Sequence, residues 1–386
     1  MRPINISDKH NCSGCSACYS ICPTNAIKMV QDEEGFLYPQ IVKDKCVECG
    51  LCTKRCPYLS EVFPATDLEE CYAAYNPRED EREISSSGGM FYAMAKKIIK
   101  EGGVVYGAAY DSQFKVYHTM VDNMSGLEKI VGSKYMQSRM EDCFTMIKQN
   151  VQEKKRVLFV GTSCQVAGLK SFLGNDYNNL ICVDFICLGV PSPLVWEKYL
   201  EHKFNINEIE KINFKDKTNG WHNFSLRIKT KKRMFLQIGR QNIFFNGYFK
   251  GLYSRPSCST CIYKGKNRVS DITISDCWGY SKIAPELDDN KGLSSIVIHS
   301  SKGNDFWHEI KDEFIHIEGE IDDVKKFNSN YCKPFTEDED REAFWRMFNE
   351  RSPQHAFRRY CRIRKDNIVK RNVRKISNRL KSILSK

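Results

Sequence analysis

Apolar and polar positions along this chain fall into two rhythms. "VLFVG" is a short, unbroken apolar run that leads through a Gly-led turn into "QVAGLKSFL", where apolar residues recur three and four apart. Strand, turn and helix in that order make the βα unit of an α/β sheet. "LICVDFICLGVPSP" has the look of the next strand, closed by a Pro-rich turn, and "MFYAMAKKIIKEG" followed by "GVVYGAAY" predicts a helix and then a strand. The C-terminal stretch carries Val369, Val373, Ile376, Leu380, Ile383 and Leu384 at helical spacing, with Arg and Lys between them. No uncharged apolar run approaches the ~18 residues that span a bilayer.

These rhythms divide the chain. Residues 1–60 form a cysteine-rich module, and Ser60–Glu70, with Pro64 and several acids, reads as a linker. A first α/β region then covers 70–150, a second covers 151–340, and a tail covers 351–386. The predicted class is α/β, with an α+β module in front and a helical tail behind. At 386 residues the chain exceeds the usual single domain, and 41% hydrophobic residues suffice for a core.

Charge changes the picture only when it is split. The net +11 arises in the tail, where residues 351–386 hold thirteen Lys or Arg against Asp366 alone; the remaining 46 basic and 47 acidic residues nearly cancel. The tail therefore predicts a basic amphipathic helix. Near an anionic membrane each such charge is worth about 1 kcal/mol, so peripheral contact at the inner face of a membrane is one expectation, and packing of the apolar stripe on the body is the other. Without a reading domain, the tail predicts no specific nucleic-acid partner. The N-terminus lacks a signal-peptide pattern, and the expected location is cytoplasmic.

Eighteen cysteines point to chemistry rather than disulfides. Cys12, Cys15, Cys18 and Cys22-Pro23 recur, at the same spacing, as Cys46, Cys49, Cys52 and Cys56-Pro57. This is the spacing of bacterial two-cluster ferredoxins, in which the fourth cysteine of each run serves the other cluster. The predicted sets are Cys12, Cys15, Cys18 and Cys56 for one 4Fe-4S cluster, and Cys46, Cys49, Cys52 and Cys22 for the other. A zinc tetrathiolate is the bland alternative, disfavoured by eight cysteines with both Cys-Pro endings. Such clusters span roughly −700 to +450 mV, so spacing leaves the potential open.

Three further features carry less by themselves. Cys258-x2-Cys261 lies in a Pro/Ser/Gly-rich loop, and Cys164, Cys187 and Cys277 each fall at a strand-to-turn boundary. Four such thiols suit another cluster or an ordinary core. "SSSGGMF", residues 85–91, precedes a helix and offers backbone N–H groups to a phosphate, or else simply caps that helix. His222, beside Trp221, is a weak candidate proton donor and equally a packed residue.

Taken in order, "SSSGGMF", "GSKYMQS", "VLFVGTSCQVAGLK", "VDFICLGVPSP", "FKDKTNGW", "RPSCSTC" and "SDITISDCWG" resemble the coenzyme F-420 hydrogenase/dehydrogenase beta-subunit family over residues 70–300, with a ferredoxin fused in front. The resemblance implies a flavoprotein with FAD or FMN, usually FAD, that exchanges hydrides on the flavin and single electrons through iron–sulfur centres. It implies a third 4Fe-4S cluster on Cys164, Cys187, Cys258 and Cys261. It also places Ser86, Ser87, Gly88, Gly89, Ser133, Lys134 and Gln165 as candidate flavin or substrate contacts. Ser163, Leu188 and the Ser-Asp of "SDCWG" depart from the family's usual Pro, His and Gly-Asp, which opens the question of substrate. Relatives carrying this N-terminal module are often associated with surface-polysaccharide biosynthesis. The expected function is an oxidoreductase that takes electrons from a donor ferredoxin or oxidoreductase and reduces a small-molecule or lipid-linked substrate. The alternative is an electron-transfer subunit of a hydrogenase or dehydrogenase, with a deazaflavin or a protein as partner.

Overall fold

The computed structural model describes residues 4–6, 8–60, 62 and 68–362. The apolar stripe Val369–Leu384 and most of the expected linker lie outside the described residues.

The front module is a short antiparallel hairpin flanked by two helical turns. Helix α1 (Ala17–Ile21) precedes strands β1 (Ile27–Gln31) and β2 (Leu37–Ile41), which pair from Ile27 with Ile41 to Gln31 with Leu37, and α2 (Leu51–Lys54) follows. Each helical turn begins inside one of the cysteine runs, so the repeat in sequence is a repeat in backbone.

The body opens with β3 (Glu70–Tyr75), α3 (Glu79–Glu83) and α4 (Met90–Lys100), the last capped by Gly89. Then come β4 (Val104–Tyr110), β5 (Val116–Val121), α5 (Met124–Ile130) and α6 (Cys143–Gln152). The βα unit follows as β6 (Val157–Gly161) and α7 (Ser163–Leu173), which ends at Gly174 with φ +71°, and β7 (Leu180–Phe185) comes next. Strands β8 (Ile209–Asp216), β9 (Ser225–Thr230) and β10 (Met234–Ile238) form a separate small sheet, and β11 (Ile272–Asp276), β12 (Ser294–Ile298) and β13 (Ile315–Gly319) complete the large one.

The large sheet runs β13-β3-β12-β11-β7-β6-β4-β5. Its centre, β4, β6, β7 and β11, is parallel, and its flanks are antiparallel. Strands from 70–150 and from 151–340 alternate in this one sheet, so the two regions share a core. The central strands read as unbroken apolar runs because both faces are covered. Leu158, Ile181 and Val183 pack under α4 on one face, while Val157, Phe159 and Cys182 pack against α6 and α7 on the other.

The basic stretch from 351 begins as a helix, Pro353–Tyr360, whose Ala356 and Phe357 are buried with Trp196, Phe244 and Phe344. Among the described residues no helix is long and apolar enough to cross a membrane.

The front module sits on the body through built contacts. Gly168 of α7 faces Cys15 so closely that a Cβ there would lie 2.8 Å from its sulfur. Arg341 grips Glu34 with two hydrogen bonds of 2.7 and 2.5 Å, Ser171 donates to the Arg55 carbonyl, and Tyr263 donates to the Pro57 carbonyl.

Candidate functional site

The two cysteine runs bend alike. Gly14 and Ser16 have φ of +68°, and the equivalent positions Glu48 and Gly50 have +51° and +72°. Left-handed residues two and four places after the first cysteine turn the loop around a central space. One space is bordered by Cys12, Cys15, Cys18 and Cys56; the other is bordered by Cys22, Cys46, Cys49 and Cys52. Among the described residues no three Cys, His, Asp or Glu side chains converge as the ligands of one metal ion would. A cube of iron and sulfide instead takes its thiolates at separate corners.

Burial pushes the Cys15 thiol up to about 12 and the Cys18 thiol well above its usual range. Such thiols keep their protons in a bare site, and binding of iron displaces them. Cys22 behaves differently: burial raises it, but the N–H of Ala26, 3.2 Å from its sulfur, helps hold it below the ordinary value.

The inner of these sites abuts a second group of thiols. Cys15, Cys164 and Cys261 pack against one apolar cluster. The Cys164 and Cys258 thiols each feel the charges of Cys187 and Cys261, and burial is the main cause that pushes Cys164 up to about 12 and Cys258 higher still. Thr162 lies 3.1 Å from the Cys164 sulfur, and the Val190 N–H donates to Cys258 at 3.3 Å. The structure thus brings Cys164, Cys187, Cys258 and Cys261 together, while Cys277 is buried apart, with Ala73, Trp221 and Leu293.

Cys164 and Cys187 also line a cavity of about 1070 Å³. It lies over the carboxyl ends of the parallel strands, where α/β sheets place ligands: Val160 and Gly161 close β6 and Thr162 follows it, Phe185 closes β7 and Ile186 follows it, and Ser275 and Asp276 close β11. Ser86, Ser87, Gly89, Ser133, Lys134 and Gln165 all border it. Gly88 lies just behind, its N–H donating to Ser294 at 3.0 Å. His222 is not among the lining residues; it pairs with Asp288 at 2.9 Å and stacks on Tyr280.

Several lining residues also hold the cavity's shape. Ser133 donates twice to the Ser86 hydroxyl, at 2.8 Å from its N–H and 2.9 Å from its Oγ, so Ser86 keeps its own proton for a ligand. Ser87 donates to the Leu293 carbonyl, and Lys217 bridges the carbonyls of Arg82 and Ser87. Gln165 completes the capping box of α7 with Thr162. Unpartnered amide nitrogens of Gln137 and Asn246 lie in the lining.

Two titratable groups border the cavity without a carboxylate. Lys134 is half-buried, its Nζ donates to the Val131 carbonyl at 2.9 Å, and desolvation lowers its pKa to about 7. Burial takes His118 down to about 4, so its ring is neutral, with Nδ1 2.7 Å from Ser138 and Nε2 3.1 Å from the Val160 carbonyl.

Sequence reading did not single out His118, Gln137, Lys215, Arg255 or Arg268. Gln137 and Arg255 lie within "GSKYMQS" and "RPSCSTC", but nothing local distinguishes them from surface residues. Arg268 is buried against Asp184 at 2.6 Å, and Lys215 against Asp276 at 2.9 Å.

Residues 11–59 match the family model for a 4Fe-4S dicluster domain, and residues 154–340 match that for the C terminus of the coenzyme F420 hydrogenase/dehydrogenase beta subunit. An uncharacterized ferredoxin of Methanocaldococcus jannaschii is 38% identical over 52 residues; the match takes 14% of this chain and spans 66% of that protein, just under two thirds of its length. A chain of the F420-reducing [NiFe] hydrogenase complex from Methanosarcina barkeri, solved as a xenon derivative, superposes with a TM-score of 0.46 at 15% identity, covering 70% of this chain and 93% of that one. The chain carries a 4Fe-4S dicluster domain and a domain matching the C terminus of the coenzyme F420 hydrogenase/dehydrogenase beta subunit.

Proposed function

We propose that this chain, a 4Fe-4S dicluster domain joined to a beta-subunit domain of the F420 hydrogenase/dehydrogenase family, is a flavin-dependent reductase fed by its own iron–sulfur relay. Electrons enter at the exposed site of Cys22, Cys46, Cys49 and Cys52. They pass to the inner site of Cys12, Cys15, Cys18 and Cys56, then to a third 4Fe-4S cluster on Cys164, Cys187, Cys258 and Cys261, and so reach the cavity. The substrate class is an organic acceptor such as an activated or lipid-linked intermediate of surface-polysaccharide assembly, and the donor is a ferredoxin or similar oxidoreductase.

One observation carries this reading: the cavity bordered by Ser86, Ser133 and Lys134 is also bordered by Cys164 and Cys187. The residues suit a flavin. The glycine-led start of α4 presents backbone N–H groups and a positive helix end to a phosphate, and the amides of Gln137 and Asn246 have unused donors. Bound there, a flavin converts single electrons into a hydride. Ser86 donates its free proton, Lys134 supplies a cation below its pKa, and the neutral His118 holds the floor through Ser138 and the Val160 carbonyl.

Anaerobic purification with iron, sulfide, zinc and acid-released flavin measured per chain tests the proposal. About twelve irons, four per cluster, with one flavin support it. About eight irons without flavin leave a dicluster protein whose cavity serves something else, and overturn it.

A further inference from the structure

The inner and outer cluster sites have the same ligand spacing but different electrostatic surroundings. Arg255, on the loop that carries Cys258, is 1% exposed. Its Nε donates to the Cys12 carbonyl at 2.7 Å, its Nη2 donates to the Leu37 carbonyl at 3.0 Å and lies 3.7 Å from the Cys12 sulfur, and its Nη1 has no partner. The guanidinium stacks over Tyr38 at 4.1 Å and Phe36 at 5.4 Å. Among the described residues no carboxylate pairs with it.

A buried cation without a counter-charge is unfavourable, so something at this place must neutralise it. The cysteine sulfur it touches belongs to a site whose occupant, four thiolates on an iron–sulfide cube, is anionic and gains one more negative charge on reduction. Gly14 shows how closely the fit is made. A Cβ there would lie 3.0 Å from Arg255 Nη1 and 2.4 Å from the amide nitrogen of Gln137, whose oxygen is fixed by the Leu37 N–H at 2.9 Å.

The outer site has the opposite character. Its loop exposes Val47, Glu48 and Cys49, and the residue equivalent to Gly14 is the carboxylate Glu48.

We propose that Arg255 is a positioning residue that makes the inner cluster the electron sink of the pair, an inference that rests on the two-cluster relay above. Its buried charge and its N–H groups at the Cys12 sulfur stabilise the reduced inner cluster, while solvent and Glu48 leave the outer cluster without that help. One electron leaves the outer cluster, which is oxidised, and enters the inner cluster, which is reduced; no other reactant is needed. The relay acquires its direction from this difference, and the body supplies it through a single side chain.

Redox titration of the reconstituted full-length protein, followed by electron paramagnetic resonance and with iron counted per chain, tests this. R255Q is expected to lower the more positive of the two dicluster couples, by at least the 59 mV that makes an about tenfold change in a one-electron equilibrium, and to leave the other nearly unmoved. R255K, which keeps the charge and loses the fork, is expected to fall between. E48Q is expected to raise the more negative couple alone. If R255Q does not load iron, the same titration on R255K and E48Q decides. Equal movement of both couples in any iron-replete variant, or movement of neither, overturns the proposal.

Discussion

The inner and outer halves of the front module begin as near copies, with the same cysteine intervals and the same pair of left-handed residues. They end in opposite situations. The inner loop is pressed between Gly168 of α7 and the guanidinium of Arg255, and the outer loop leaves Cys49 exposed and Val47 63% exposed. Ligand spacing is a local property and copies with the sequence; potential and direction depend on what the rest of the chain packs against each copy.

The comparison breaks hardest at the cysteines. Cys15→Ser and Cys49→Ser are each expected to cost about four irons. With a small strong reductant as donor, C15S is expected to abolish reduction at the cavity, because the inner site adjoins Cys164, whereas C49S only slows it. Stopped-flow absorbance reads both; equal rates in the two variants would contradict the order of the relay.

A steric probe comes next. Gly168→Val forces two methyl groups toward the Cys15 sulfur, and overpacking of this kind costs about 1–3 kcal/mol. The stability measured by urea unfolding should fall by that amount, while the same change at Gly102, whose Cβ would meet nothing within 4 Å, should cost only its left-handed strain at φ +75°.

Hydrogen-ion concentration separates the cavity from both loops. Lys134 holds a proton to beyond about pH 10 when unfolded but only to about 7 when folded. Between those values the unfolded chain binds more protons, so the empty protein should gain stability as pH rises from about 7 toward about 10, and Lys134→Met should remove that gain. Retention of an anionic flavin should move the other way, weakening as pH rises through about 7, with iron content constant. Thermal melts and flavin release across this pH window measure both.

The smallest effect concerns the odd residue of the repeat. Glu48 adopts φ +51° without being glycine, a conformation that costs roughly 1–2 kcal/mol. Glu48→Gly should relieve about 1 kcal/mol of it, read in thermal melting, whereas Gly14→Ala should destabilise the inner loop because Gln137 and Arg255 occupy the space a Cβ needs.

How far the residues alone carried the reading follows from the same contrast. The strands "VLFVG" and "LICVDF" and the helix from Met90 were legible because a strand buried on both faces is apolar without interruption, and because glycines at 89 and 174 mark helix ends. The cysteine runs were legible because a cluster's corners are reached by a few consecutive residues. The residues alone left Cys164, Cys187, Cys258 and Cys261 as either another cluster or an ordinary core, and only the family likeness picked out these four as a set, since the turns that carry them are separated by long stretches of intervening fold.

Arg255 and His222 mark the limit. One is an arginine in a loop, indistinguishable by pattern from a solvated one, that crosses the domain contact to reach Cys12; the other is a histidine beside a tryptophan that pairs with Asp288 outside the cavity lining. By itself the sequence determined the ligand sets' spacing, the α/β class and the helix and strand rhythm, because each depends on neighbours within a few residues. Only the tertiary structure decided which cluster site is buried, where the cavity opens and which cation is left without a carboxylate, because burial and charge pairing are set by groups brought together from distant parts of the chain.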